Sequence, residues 1–167
     1  ATGTECTDSA MPFIGKCGFD GAGELLAALY AEKPSAPAAA GGELRRFDQK
    51  AYLPDGKDAM LADVGFVYVP KSCAAGESCG LHIALHGCQQ NADAIGEAFA
   101  RDAGYNRWAD ARHLVVLYPQ TRASYAPLNP KACWDWWGYS GPDYDTRQGV
   151  QLRWLANAAA ALGAPLE

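Results

Sequence analysis

Hydrophobic and polar positions follow two periods along the chain. Residues 64–69, VGFVYV, are β-branched and aromatic and stop at Pro70, which predicts a strand. Residues 81–86, LHIALH, read as a second strand, and 43–48 as a weaker one. The run LVVLY at 114–118 is continuously apolar and closed by Pro119, as for a strand buried on both faces of a parallel sheet. Helical spacing takes over elsewhere. Leu25, Leu26, Leu29 and Tyr30 behind a capping Asp20 predict a helix over 21–31. Asn91 can cap a helix over 92–103 with Ile95 and Phe99 on one face, and 105–111 continues helical after Gly104. Asp145 can cap a helix over 146–162 with Leu152, Leu155, Ala159 and Leu162 in one stripe, ended by Gly163 and Pro165.

Between these elements, 1–19 reads as an irregular stapled segment, and 33–42, KPSAPAAAGG, as a connector too short to separate domains. Residues 120–145 form a long aromatic-rich loop, a kind that usually carries function. The order strand, helix, strand, loop, helix predicts an α/β fold with a mostly parallel sheet, residues 1–167 forming one unit.

Composition narrows the classes. Lys+Arg is 14 and Asp+Glu 19, a net charge of −5, so the basic footprint of a nucleic-acid binder is missing. No apolar run reaches the roughly 18 residues of a membrane-crossing helix. Six cysteines in 167 residues suit an oxidising compartment. They can pair in several ways; the local spacing suggests Cys6 with Cys17 and Cys73 with Cys79, leaving Cys88 and Cys133 for a long-range bond. Zinc is the rival use, through His82, His86 and Cys88, but no C-x-x-C spacing is present and the context is a strand, so no metal site is expected.

Three motifs could carry chemistry. Gly76-Glu77-Ser78-Cys79-Gly80 matches the G-x-S-x-G pattern, but it leads into a strand rather than following one, and Ser78 reads as a hairpin-loop serine. His86-Gly87-Cys88 leaves a buried strand and precedes a helix, where the Cys88 N–H could stabilise an oxyanion, with His86 and Gly87 supporting the loop. His113 reads as a surface residue, and no Ser-His-Asp set is apparent. In Cys133-Trp134-Asp135-Trp136-Trp137-Gly138-Tyr139, three tryptophans in four positions cannot all be core; at least one should plug the domain while others wall a substrate.

The segments PFIGKCGFDGAGELL (12–26), GFVYVP (65–70), LHIALHGCQQN (81–91), GYNRWAD (104–110), LVVLYPQT (114–121) and NPKACWDWWGY (129–139) together resemble extracellular poly(3-hydroxybutyrate) depolymerases over nearly the whole chain. The resemblance implies secreted serine esterases of α/β-hydrolase fold that need no cofactor. It implies that this chain gives the first four strands, ordered first, second, fourth, third. It makes the Cys88 N–H an oxyanion donor, bonds Cys88 to Cys133, and puts Trp134, Trp136, Tyr139 and above all Trp137 against the polyester. The family's nucleophilic serine, aspartate and histidine have no counterpart here. The chain therefore resembles the carboxyl-terminal part of the circularly permuted branch, and the expected partner is an upstream amino-terminal piece carrying the triad and pairing along 81–86. The alternative is a non-catalytic binding module that offers the Trp loop to an apolar polymer.

Overall fold

A computed structural model describes residues 3–30, 35 and 39–165. Half of the expected 33–42 connector, and Ala31 of the first predicted helix, lie outside the described residues.

Four strands make the central sheet: β3 (Glu43–Asp48), β4 (Val64–Val69), β5 (Gly80–Ile83) and β6 (Leu114–Tyr118). Two short pairs flank it, β1 (Thr4–Glu5) with β2 (Gly15–Lys16), and the hairpin β7 (Ser124–Tyr125) with β8 (Leu128–Asn129). The helices are α1 (Gly21–Leu29), α2 (Lys71–Ala74), α3 (Ala92–Ile95), α4 (Ala98–Asp102), α5 (Tyr105–Arg112) and α6 (Val150–Ala161).

The sheet order is β3-β4-β6-β5, as the resemblance implies, but its sense is mixed. Only β5 and β6 run parallel, Gly80 opposite Leu114 through Ile83 opposite Leu117. Strand β4 is antiparallel to both β3 and β6, which corrects the expected mostly parallel sheet. The apolar run of β6 reports burial on two faces, and burial does not encode strand direction. The parallel pair is joined by the crossover helices α3 to α5, whereas β3 returns to β4 through two 3₁₀ turns, Gln49–Tyr52 and Pro54–Gly56.

Alternation along the strands builds a core on each face. Phe66, Tyr68, Val116 and Tyr118 pack with Leu26, Ala100 and Ala109 on one side. Leu117 packs with Leu61, Trp154, Leu155 and Ala158 on the other.

The helices depart from their predicted form in three places. Gly96, at φ 61°, breaks the 92–103 helix into α3 and α4. Helix α6 starts at Val150, capped by Gly149 rather than Asp145; a Cβ on Gly149 would meet the Tyr144 carbonyl at 2.6 Å. Its buried face carries Gln151, Trp154, Leu155, Ala158 and Ala159, while Leu152 and Leu162 of the predicted stripe are exposed.

Candidate active site

The site grows from the exit of β5. His86 is buried, its Nδ1–H donates to the Gly87 carbonyl at 2.8 Å, and its Nε2 accepts from the Thr121 N–H at 3.2 Å. Burial pulls its pKa below the ordinary histidine value, outweighing the bond to Gly87. With one nitrogen donating and the other accepting from backbone, the ring is a neutral strut and has no nitrogen left for proton transfer. The Thr121 hydroxyl donates in turn to the Ala132 carbonyl at 2.6 Å, beside Cys133.

The next four N–H groups decide what this loop can do. Gly87 N–H donates to Gln90 Oε1 at 2.8 Å, Gln89 N–H to the Lys131 carbonyl at 2.7 Å and Gln90 N–H to the Gly87 carbonyl at 3.1 Å. The Cys88 N–H donates to no described residue. Gln89 sits at φ 62°, a left-handed conformation that costs a non-glycine residue about 1 kcal/mol and turns the chain sharply after Cys88.

Cys88 is bonded to Cys133, with Cα atoms 4.3 Å apart, and the other disulfides are Cys6–Cys17 and Cys73–Cys79. The long-range bond joins the β5 exit to the Trp loop, and it removes Cys88 from any metal-ligand set. His82 is also drawn away from such a set: it lies against the Tyr105 ring, with Nδ1 3.3 Å from the Tyr30 hydroxyl.

Asp135 organises the Trp loop. Its Oδ1 accepts from the N–H groups of Trp137, Gly138 and Tyr139, and its Oδ2 from the N–H and hydroxyl of Ser140, at 2.6 to 3.2 Å. Burial opposes its charge, yet the bonds from Ser140, Gly138 and Tyr139 outweigh burial and hold the carboxyl below its ordinary range. Gln151 of α6 clamps the loop from below: Oε1 accepts from the Asp135 N–H, and Nε2 donates to the Tyr139 hydroxyl and the Ala59 carbonyl. Tyr139 donates its own proton to the Cys133 carbonyl at 2.8 Å.

On this frame the three tryptophans divide. Trp134 packs into the α6-side core, 5.8 Å from the His86 ring, and its buried indole N–H has no acceptor among the described residues. Trp136 is 71% exposed and Trp137 42%, their rings 5.2 Å apart, with Trp137 4.8 Å from the Tyr139 ring. These large apolar rings are fixed in solvent by a loop that the Asp135 and Gln151 hydrogen bonds hold in shape, an arrangement suited to apolar contact.

The other candidates separate from this site. Ser78 is exposed in the connection from α2 to β5, and no hairpin forms there because β4 and β5 are not neighbours. His113 is exposed and offers the same nitrogen, Nδ1, to Ser72 at 3.4 Å and to Glu77 at 3.1 Å, so it relays nothing from one to the other. Sequence reasoning missed Asp135, Gln151, Thr121 and Gln90. For Asp135 a signal existed: an Asx residue with Gly three positions on is turn chemistry.

A mixed sheet between helical layers, with a tight disulfide-anchored loop at a strand exit, defines an α/β-hydrolase-type class. Residues 64–158 match the family model described as esterase PHB depolymerase, and the chain belongs to that family. It is 39% identical over 154 residues to the poly(3-hydroxybutyrate) depolymerase of Delftia acidovorans, covering 90% of this chain and 30% of that protein. It is 38% identical over 159 residues to the polyhydroxybutyrate depolymerase of Talaromyces funiculosus, covering 88% of this chain and 46% of that protein. The crystal structure of PHB depolymerase from Penicillium funiculosum superposes with a TM-score of 0.89 at 33% identity, over 99% of this chain and 55% of that one. A Ser-to-Ala variant of a PHB depolymerase complexed with an R3HB trimer superposes with a TM-score of 0.88 at the same identity. The chain thus spans less than half the length of these relatives and about half of the solved chains.

Proposed function

We propose that this chain forms one half of the catalytic domain of a secreted serine esterase that hydrolyses poly(3-hydroxybutyrate) or a related polyester. The Cys88 N–H is its oxyanion donor, and Trp136, Trp137 and Tyr139 are its substrate wall. The Ser, Asp and His of the triad belong to an amino-terminal polypeptide beyond these 167 residues. The observation that carries the reading is the unengaged Cys88 N–H, the one donor of four consecutive loop amides left without a partner among the described residues. A donor held this way meets the negative oxygen of a tetrahedral intermediate without reorganising, a contribution of about 3–4 kcal/mol. The family, the R3HB trimer in the solved relative and the three disulfides support polyester, esterase chemistry and secretion.

Two features support a triad on a separate stretch of polypeptide. Strand β5 is the edge of the sheet, with Leu85 beyond it 47% exposed, and such an edge pairs with another strand unless covered. The buried indole N–H of Trp134, without an acceptor among the described residues, also calls for one. The exposed Trp136 favours a second reading, a non-catalytic platform for an apolar polymer, but a platform has no use for an aimed N–H. Hydrolysis of a short-chain nitrophenyl ester distinguishes them. This chain alone should be inactive, and the complete polypeptide active. Full activity from the 167 residues alone would overturn the proposal and return Ser78 to consideration.

A further inference from the structure

Gln90 lies two residues beyond Cys88 and uses both ends of its amide. Oε1 accepts from the Gly87 N–H at 2.8 Å, while Nε2 donates to the carbonyls of Pro12 at 3.0 Å and Phe13 at 3.1 Å. The orientation is fixed by its partners, since an N–H needs the oxygen and carbonyls need the nitrogen. The approach is so close that a Cβ on Gly87 would meet Oε1 at 2.7 Å, so a larger residue there would push the Gln90 amide aside. Pro12 and Phe13 lie in the loop closed by the Cys6–Cys17 disulfide, on the segment that carries β1 and β2. The amino-terminal staple is therefore joined to the β5 exit by one side chain.

We infer that Gln90 is a positioning residue: it engages the Gly87 N–H, leaves the Cys88 N–H as the donor of the pair, and sets the angle of the oxyanion loop against the segment closed by Cys6–Cys17. The inference rests on the role given to Cys88 above. Neither amide can turn while Gln90 holds one and the Cys88–Cys133 bond holds the other. An oxyanion donor displaced by even a fraction of an ångström loses much of its effect.

The test uses the complete enzyme, with active sites counted by phosphonate titration. Gln90→Ala should lower kcat on a soluble nitrophenyl ester roughly tenfold with KM changed less than about twofold. Gly87 amide hydrogen exchange should become at least about tenfold faster while that of Val67 in the sheet is unchanged. Gln90→Glu keeps an acceptor for Gly87 but offers no donor to Pro12 and Phe13, so it should restore part of the Gly87 protection. The paired change Cys6→Ala and Cys17→Ala should lower kcat in the same direction, with little further effect once Gln90 is alanine. A merely structural Gln90 would lower the folded fraction and leave kcat per titrated site and Gly87 exchange as they were, and that result overturns the inference. Absence of hydrolysis by the unsubstituted enzyme would overturn the esterase reading and the catalytic half of this proposal together; the Gly87 exchange rate still decides the positioning half.

Discussion

Removing the Cys88–Cys133 bond should be the most damaging of the three disulfide deletions. The bonds close loops of 45, 11 and 6 residues. By loop entropy they restrict the unfolded chain by about 4, 3 and 2 kcal/mol respectively. Against a domain stability of about 5–15 kcal/mol, the first figure is a large share. For a protein of this size it corresponds to a fall in Tm of about 8–16 °C. The perturbation is the pair Cys88→Ala and Cys133→Ala, with Cys73→Ala and Cys79→Ala as the matched control; alanine suits the buried Cys133 position. Urea unfolding followed by tryptophan fluorescence reads the midpoint and slope. The 88/133 pair should lose about twice the free energy of the 73/79 pair, with the larger rise in slope because its unfolded chain is released from the longer loop. The complete enzyme should also lose kcat only with the first pair. Equal losses for the two pairs would refute the reasoning, and would mean that the Gln89–Lys131 and His86–Thr121–Ala132 hydrogen bonds already hold the two loops together without the covalent link.

Trp137→Ala should weaken adsorption to a polyester film and hydrolysis of it while Tm moves by less than about 3 °C, since a partly exposed ring acts through contact with what lies outside; unfolding with unchanged specific activity would place it in the core. His82 and His86 both have pKa values lowered by burial, so the unfolded chain takes up protons first. Stability should be flat above about pH 7 and fall as pH drops from the ordinary value near 6.5 toward the lowered folded values; urea midpoints equal at pH 7.5 and 5.5 would contradict this. The Asp135 pKa is lowered as well, by its hydrogen bonds and against burial: its contribution is complete above the ordinary carboxylate range and disappears as pH falls through the depressed folded value. Asp135→Asn, which turns an acceptor of Ser140 into an amide donor, should therefore red-shift Trp136 and Trp137 emission at neutral pH and remove the acid transition of that emission.

Strands were legible where side-chain chemistry alone defined them. The β-branched run 64–69 and the apolar run 114–118 became β4 and β6 with the predicted bounds. Direction was not legible, because two-sided burial arises equally in an antiparallel centre strand. The stripe of α6 was misread because hydrophobicity alone favoured Leu152 and Leu162. Trp154 is buried instead because its indole N–H reaches the Gln49 carbonyl at 2.7 Å, a partner 105 residues away. At the site, Cys88 and the exposed tryptophans stood out as rare residues in an unusual cluster. Asp135, Gln90 and Gln151 did not, since an amide or carboxylate declares its role only when its distant partners are known.

Gln151 has a consequence for the order in which the surface comes into being. The residues of the Trp loop are synthesised before α6, yet the Asp135 N–H donates to Gln151 and the Tyr139 hydroxyl accepts from it, and Gln151 also reaches back 92 residues to Ala59. Contacts of such sequence separation form late. Until the final helix docks beneath 49–59, the tryptophans have no finished platform and the nascent chain presents no organised apolar face to a neighbour. The exposed aromatic surface is thus organised only once α6 has docked, and a chain stalled short of α6 lacks that organised surface.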